Sequence, residues 1–411
     1  MKACQKLTFR PTNMSSPYEF NIVHKAANSY LIPQHTRLYV KLKVVRENGT
    51  NIVADDNVSV VNMLATSLWK TIEVEIGGKP ISQLQNEYAH YKAYFETALT
   101  YGQDARSSHL ATYGFAMDSA DQFDNCAMIQ NTNNGFTQRK ELIAGSRWCE
   151  FKTPLHCDFL QSERSFPSGM DFRLKLTKEN DNFLLLSNTM PDVRSFKIVI
   201  ETLKLTCHFV EMHDDLVHQH QLLKEKTPAQ IFVNKTCLKT HTYPANMVDL
   251  RIDELFVGAN LPKMIAITLV HQDSFLGTIN RNPYNFQHFN LKSACIKVNG
   301  HQIPVELYTP DFPNRLFMDM YRDLFDNTGI LTNDFGNTLT PSLFNGGMFI
   351  MAFDRSPDLC NGFHYHPKVI GTINLELTLN QAVNHSIVLL AFGVYNTVAL
   401  IDKYGNVEMQ M

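Results

Sequence analysis

The sequence predicts an all-β protein made of two similar β-sandwiches in tandem, with a few short helices in the loops. Three observations predict it. Short segments alternate apolar and polar residues at period two, turn-forming dipeptides separate them, and one succession of elements occurs twice along the chain.

Strands come first. TRLYVKLKVV at 36–45, TIEVEI at 71–76, FRLKLT at 172–177 and TINLELT at 372–378 alternate as half-buried strands do. FKIVI at 196–200 opens a further strand that reaches about Phe209. The segments 263–270 and 386–395 are more continuously apolar, which predicts central strands buried on both faces. Gly77-Gly78 and Asn299-Gly300 sit between alternating runs and accept positive φ at low cost, so each predicts a tight hairpin.

Helical spacing is rare. Within 87–100, Tyr88, Tyr91, Phe95, Ala98 and Leu99 share a face, and within 314–325 so do Leu316, Phe317, Met320, Tyr321 and Leu324. A third helix is expected over 214–226, ahead of Thr227-Pro228, and marks the junction between domains 1–212 and 213–411.

The repeat joins these pieces. EVEIGGKPI at 73–81 matches IKVNGHQI at 296–303, and superposing Gly77 on Asn299 also brings Phe95 onto Phe317. FRLKLT at 172–177 echoes INLELT at 373–378. Each half carries an insertion, a long polar one at about 101–147 and a smaller one at about 326–345.

Composition agrees with this division. The 411 residues suit two domains of roughly 200 each. Hydrophobic residues make up 44% and charged residues 19%, enough for a core in each half. Net charge is -3 and no run of Lys and Arg stands out, so specific nucleic-acid recognition is not expected. The eight cysteines are scattered without a C-x-x-C pair, and free buried thiols are expected. Residues 1–15 carry no apolar h-region and no stretch is long enough for a membrane span, so neither a signal peptide nor a span is expected. The sequons at Asn48 and Asn234 are then chance matches.

Chemistry-bearing patterns are weak. His364-Tyr-His366 and His218-Gln-His220 are possible ligand pairs without a third partner at a recognisable spacing, and surface histidines are the simpler reading. Glu211, Asp214 and Asp215 beside His213 suit the start of a helix. Glu73 and Glu75 suit a solvated strand face. Tyr284, Phe286 and Phe289, like Tyr88, Tyr91, Tyr94 and Phe95, suit core or interface packing better than base stacking. No phosphate loop, nucleophile elbow or H-E-x-x-H occurs. No catalytic residue, metal or cofactor is expected, and no enzyme.

NPYNFQHFNL at 282–291, followed by IKVNG at 296–300 and Ile303-Pro304, resembles the major capsid proteins of Maverick/Polinton elements and adintoviruses. YEFNI at 18–22, VSVVN at 58–62 leading to Ser67-Leu68-Trp69, and the hairpin at 72–81 resemble the family's first domain. The resemblance implies two jelly rolls side by side and a homotrimer presenting six sandwiches as a pseudo-hexameric capsomer. Such capsomers tile an icosahedral shell. The chain would then belong to the virion, assemble inside the host cell, and meet penton and other minor capsid proteins. Val58, Asn62, Trp69, Gly78, Phe95, Asn282, Pro283, Phe286, Phe289 and Gly300 carry the motif. Pro283 and Gly300 would shape turns, while Trp69, Phe95, Phe286 and Phe289 would fill cores. Within the long insertion, Tyr101, Leu110, Tyr113, Phe115 and Phe123, with Met117 and Met128, are expected trimer contacts, because apolar anchors among amides and hydroxyls suit an interface. The competing readings are a penton-type minor capsid protein, a non-viral β-sandwich module binding carbohydrate or protein, and a two-sandwich hydrolase.

Overall fold

Alternation along the strands becomes sheet register in the structure, a computed structural model. It describes residues 4–23, 28–81, 88–127, 131–167, 171–188, 195–331, 333–356 and 367–410. His364, His366, Cys360, Glu87 and Met128 lie outside them.

The first half holds β1 (Cys4–Phe9), β2 (Tyr18–Ile22), β3 (Ser29–Arg46), β4 (Val58–Val60), β5 (Trp69–Ile76) and β6 (Lys79–Pro80). β7 (Cys149–Thr153), β8 (Phe166–Pro167), β9 (Phe172–Lys178), β10 (Leu185–Ser187) and β11 (Phe196–Glu211) follow. One sheet runs β1-β11-β3-β7 with β8 beside β3, the other β2-β9-β5-β6, and β10 pairs with β4.

The second half holds β12 (Ala229–Tyr243), β13 (Asp249–Gly258), β14 (Met264–His271), β15 (Leu291–Val298) and β16 (His301–Tyr308). β17 (Met351–Asp354), β18 (Gly371–Leu379), β19 (Ile387–Ile401) and β20 (Val407–Gln410) complete it. Its sheets run β12-β19-β14-β17, with β20 on β19, and β13-β18-β15-β16. With β4, β8, β10 and β20 set aside, both halves read first-eighth-third-sixth and second-seventh-fourth-fifth. That is one antiparallel jelly-roll order, used twice.

The sequence repeat falls on equivalent strands. The hairpins β5–β6 and β15–β16 are fourth-to-fifth connections, and their turns at Gly77-Gly78 and Asn299-Gly300 have positive φ at both central residues. β9 and β18 are both seventh.

The helices are α1 (Leu64–Ser67), α2 (Ala89–Thr100), α3 (Gln103–Arg106), α4 (Asn134–Ile143), α5 (Asp181–Leu184), α6 (Asp214–Lys226), α7 (Gln272–Leu276), α8 (Met318–Asp326) and α9 (Pro341–Asn345). α6 joins β11 to β12, with Asp214 and Asp215 in its first turn, where the helix dipole favours them. α8 starts four residues later than its spacing predicts. Asp311 and Leu316 pair across a tight turn and Arg315 has φ 58, so 314–317 cannot join the helix. The polar insertion holds α3 and α4, which its sequence does not announce. One continuous apolar core runs through both sandwiches.

Candidate functional site

The most elaborate side-chain constellation lies where the sandwiches meet. It begins with the chain between β14 and β15. Asn282 accepts a hydrogen bond from the Tyr284 backbone N–H at 3.0 Å, which folds NPYNF into a turn. Its Nδ2 donates to Asp118 Oδ2 at 3.0 Å and to the Phe123 carbonyl at 3.2 Å. Asp124 accepts from the Asn282 backbone at 2.7 Å and from Asn285 Nδ2 at 2.8 Å. Second-half amides are thus anchored on carboxylates of the first-half insertion.

The turn aims its aromatic rings at α2. Tyr284 stacks on Tyr94 with centroids 4.0 Å apart, and its hydroxyl meets Ser67 Oγ at 2.6 Å. Phe286 stacks on Phe95 at 5.5 Å, and Phe95 stacks in turn on Phe392 of β19 at 5.5 Å. The Tyr91 hydroxyl donates to the Pro283 carbonyl at 3.2 Å. These contacts bury α2 on every side: Tyr91, Lys92, Ala93, Tyr94 and Phe95 are all buried.

Charges inside the seam are paired. Asp118 is fully buried and accepts from Arg139 Nη2 at 2.6 Å and Asn133 Nδ2 at 2.8 Å. Arg139 also donates to the carbonyls of Val60, at 2.7 Å, and Ala116. Lys92 bonds Asp158, whose carboxylate accepts from the Thr236 backbone at 2.9 Å and hydroxyl at 2.7 Å across the seam. Burial opposes charge on Lys92, but Asp158 and Glu96 outweigh it and raise its pKa. Burial likewise opposes charge on Glu96. Lys92, His156 and Gln161 prevail and hold its pKa down to about 2.

The tyrosines and cysteines around the seam are held in their protonated forms. Burial raises the pKa values of Tyr91, Tyr94 and Tyr284, so their hydroxyls keep their protons. It pushes the thiols of Cys126 and Cys207 up to about 12 and those of Cys149 and Cys157 up to about 11. Among the described residues, no group of three or more His, Cys, Asp and Glu could hold a metal ion. Nor is any helix among them long and apolar enough to cross a membrane. Glu73 and Glu75 pair across the strands with Lys175, at 3.2 Å, and Arg173, at 3.5 Å.

Of the motif residues, the structure gathers Asn62, Phe95, Asn282, Pro283 and Phe286 at or beside the seam. Asn62 accepts from the Ala116 backbone at 2.9 Å and so ties the insertion to the segment before α1. Val58 and Trp69 lie in the first core, Gly78 and Gly300 at the outer hairpins, and Phe289 at the margin, partly buried with φ 46. Ser67, Asp118, Asp124, Arg139 and Asp158 also belong to the seam. Their partners are too distant in sequence for any spacing to announce them.

The five residues of the insertion expected to make trimer contacts differ in burial. Leu110, Tyr113 and Phe123 are buried inside the chain's own core. Tyr101 and Phe115 pack partly buried against it. The insertion packs over the first sandwich and onto the Asn282 turn and Gly346 of the second half, so Leu110, Tyr113 and Phe123 are buried within the chain, while Tyr101 and Phe115 keep partly exposed surface.

No family model matches the sequence. An uncharacterized protein of Caenorhabditis elegans is 23% identical over 351 residues, covering 83% of this chain and 80% of the relative. The fold superposes on a chain of the cryo-EM structure of the Sputnik virophage with a TM-score of 0.66 and 12% identity, covering 100% of this chain and 88% of that one. For a chain of the PBCV-1 virus capsid the values are 0.60 and 12%, with 100% and 97% covered. For the mavirus major capsid protein they are 0.53 and 11%, with 99% and 90% covered. With its strand order, this likeness over the whole length gives the chain the double jelly-roll fold.

Proposed function

We propose that this chain is a structural subunit of a viral shell, a major capsid protein that works as a homotrimer of pseudo-hexameric outline. The observation that carries the reading is the seam. Two sandwiches of identical strand order are joined by a continuous core and by hydrogen bonds from Asn282 and Thr236 of the second to Asp118 and Asp158 of the first, giving one block. A binding module has no need to double itself this way, whereas a tile gains area and fixed angles from it. The full-length likeness to virophage and viral capsid chains supports the same reading.

In this reading the jelly rolls are 1–212 and 213–411, joined at α6, and the chain is structural and not catalytic. Its partners are further copies of itself, then penton and other minor capsid proteins, and its place is the virion, assembled inside the host cell. The NPYNFQHF segment and a relative in an animal support the Maverick/Polinton assignment. Light scattering coupled to size exclusion, with negative-stain imaging of the peak, tests the proposal. The expected result is a trimer with a hexagonal outline. A protein that stays monomeric at every concentration overturns it.

A further inference from the structure

The internal duplication lets one seam predict another. Within the chain, the helix after the fifth strand of the first sandwich, α2, sets Phe95 on Phe392 of the outward face of the β12-β19-β14-β17 sheet, a face that the Phe349 segment and Asp158 also cover. Phe392 and Leu390 of β19 and Thr268 of β14 lie on that face, and all three are buried. Thr236 on the same face is held by Asp158. The equivalent pair is unfinished within a single chain. The helix after the fifth strand of the second sandwich, α8, buries only Met320 and Leu324. Beside it Leu316 is 66% exposed, Met318 52% and Phe335 63%. The equivalent sheet, β1-β11-β3-β7, carries a polar and aromatic outward face where its counterpart is covered.

The charges of these two unfinished surfaces are opposite. On the sheet, Lys6, Arg37, Lys41, Lys43, Lys152 and Lys204 lie on one face by strand register, against Glu150 and Glu201. Lys41 and Lys43 flank the exposed ring of Trp148 at 5.1 and 4.9 Å, and Lys204 lies over Tyr39 at 5.3 Å. Partial burial, then Lys6 and Arg37, depress the pKa of Lys152, as expected where cations crowd. Residues 311–335 carry Asp311, Asp319, Asp323, Asp326 and Asp334 against Arg315 and Arg322.

We infer that the outward face of the β1-β11-β3-β7 sheet receives the α8 segment of a second copy of this chain. The seam inside the chain is thereby repeated between chains. Exposed Leu316, Met318 and Phe335 supply the apolar contact, and the aspartates meet the lysines around Trp148 and Tyr39. The contact is head-to-tail, so copies add in one rotational sense until the ring closes. The inference rests on the capsid reading and deepens it by naming the surfaces.

The test uses the full chain with charges reversed on either surface, Lys41→Glu with Lys43→Glu, and Asp319→Lys with Asp326→Lys. Circular dichroism checks that each variant keeps its β fold. Light scattering should show each pair weakening association by about tenfold or more, with the peak moving to the mass of one chain. Combining all four reversals in one chain should restore the multimer. A wild-type multimer that neither pair disturbs sinks this inference and leaves the capsid reading standing. A wild-type monomer sinks both. Binding of a mixed-sequence DNA duplex that is lost with the lysine pair, with the multimer intact, overturns the inference in favour of a nucleic-acid surface.

Discussion

Tyr94 and Tyr284 lie ring on ring, 4.0 Å apart and 1° from parallel, although one belongs to a first-half helix and the other to a second-half loop. Each sandwich therefore completes the other's core. Tyr284→Phe keeps the stack and loses the hydroxyl bond to Ser67, an expected cost of about 1 kcal/mol. Tyr284→Ala removes both, for about 3–5 kcal/mol. Urea unfolding should show one transition in the wild type and two in Tyr284→Ala, because the halves then melt apart.

The Asp118–Arg139 pair should behave as a buried salt bridge whose loss is one-sided. Asp118→Ala strands the guanidinium away from water and should cost about 3–5 kcal/mol. Replacing both, Asp118→Leu with Arg139→Met, should cost less than the single change, as read from denaturation midpoints. A double variant worse than the single one would show that Arg139 matters mainly through its bonds to Val60 and Ala116.

Acid should loosen the second sandwich before the carboxylates titrate. Burial depresses the pKa values of His271 and His288 to about 4, from 6.5 for an unfolded histidine. Arg281 and the stacked ring of His385 add to the effect at His271. The unfolded chain takes up these protons first, so the stability is complete above pH 6.5 and drains away as pH falls to 4. His288 stacks on Phe312 at 3.7 Å, and its share is of order 3 kcal/mol. Melting temperatures from pH 7 to 4 should fall less steeply in His288→Gln than in the wild type.

Deleting residues 105–140 should unfold the chain. That segment supplies Leu110, Phe123 and Phe136 to the core and both Asp118 and Arg139 to the seam. Circular dichroism of the deletion variant should show lost β signal. A variant with unchanged β content and melting temperature would refute this.

Much of the fold was legible because strands declare themselves locally. Residues 36–45 alternate, and the structure buries Leu38, Val40, Leu42 and Val44 while turning Tyr39, Lys41 and Lys43 outward. The paired hairpins were legible because Gly77-Gly78 and Asn299-Gly300 meet a backbone requirement that few dipeptides satisfy. α4 was not. Its start depends on Asn133 accepting from Phe136, and only Phe136, Leu142 and Ile143 give it apolar character. The insertion's aromatic anchors were visible, but their destination was not, since composition alone cannot tell a side chain buried at home from one buried against a neighbour. The basic face was hidden for a related reason. Its six cations come from four strands, and only the pairing of β1, β11, β3 and β7 brings them together.

The position of α2 sets a timetable for synthesis. Its Phe95 leaves the ribosome early, but its stacking partner Phe392 is made almost three hundred residues later. At about 5–20 residues per second, the helix waits on the order of 15–60 s with its aromatic flank bare. A nascent chain in that state is sticky, and many ribosomes on one message would hold many such chains close together. The architecture that joins the two halves so closely therefore leaves the aromatic flank of α2 without its final cover until β19 has been made.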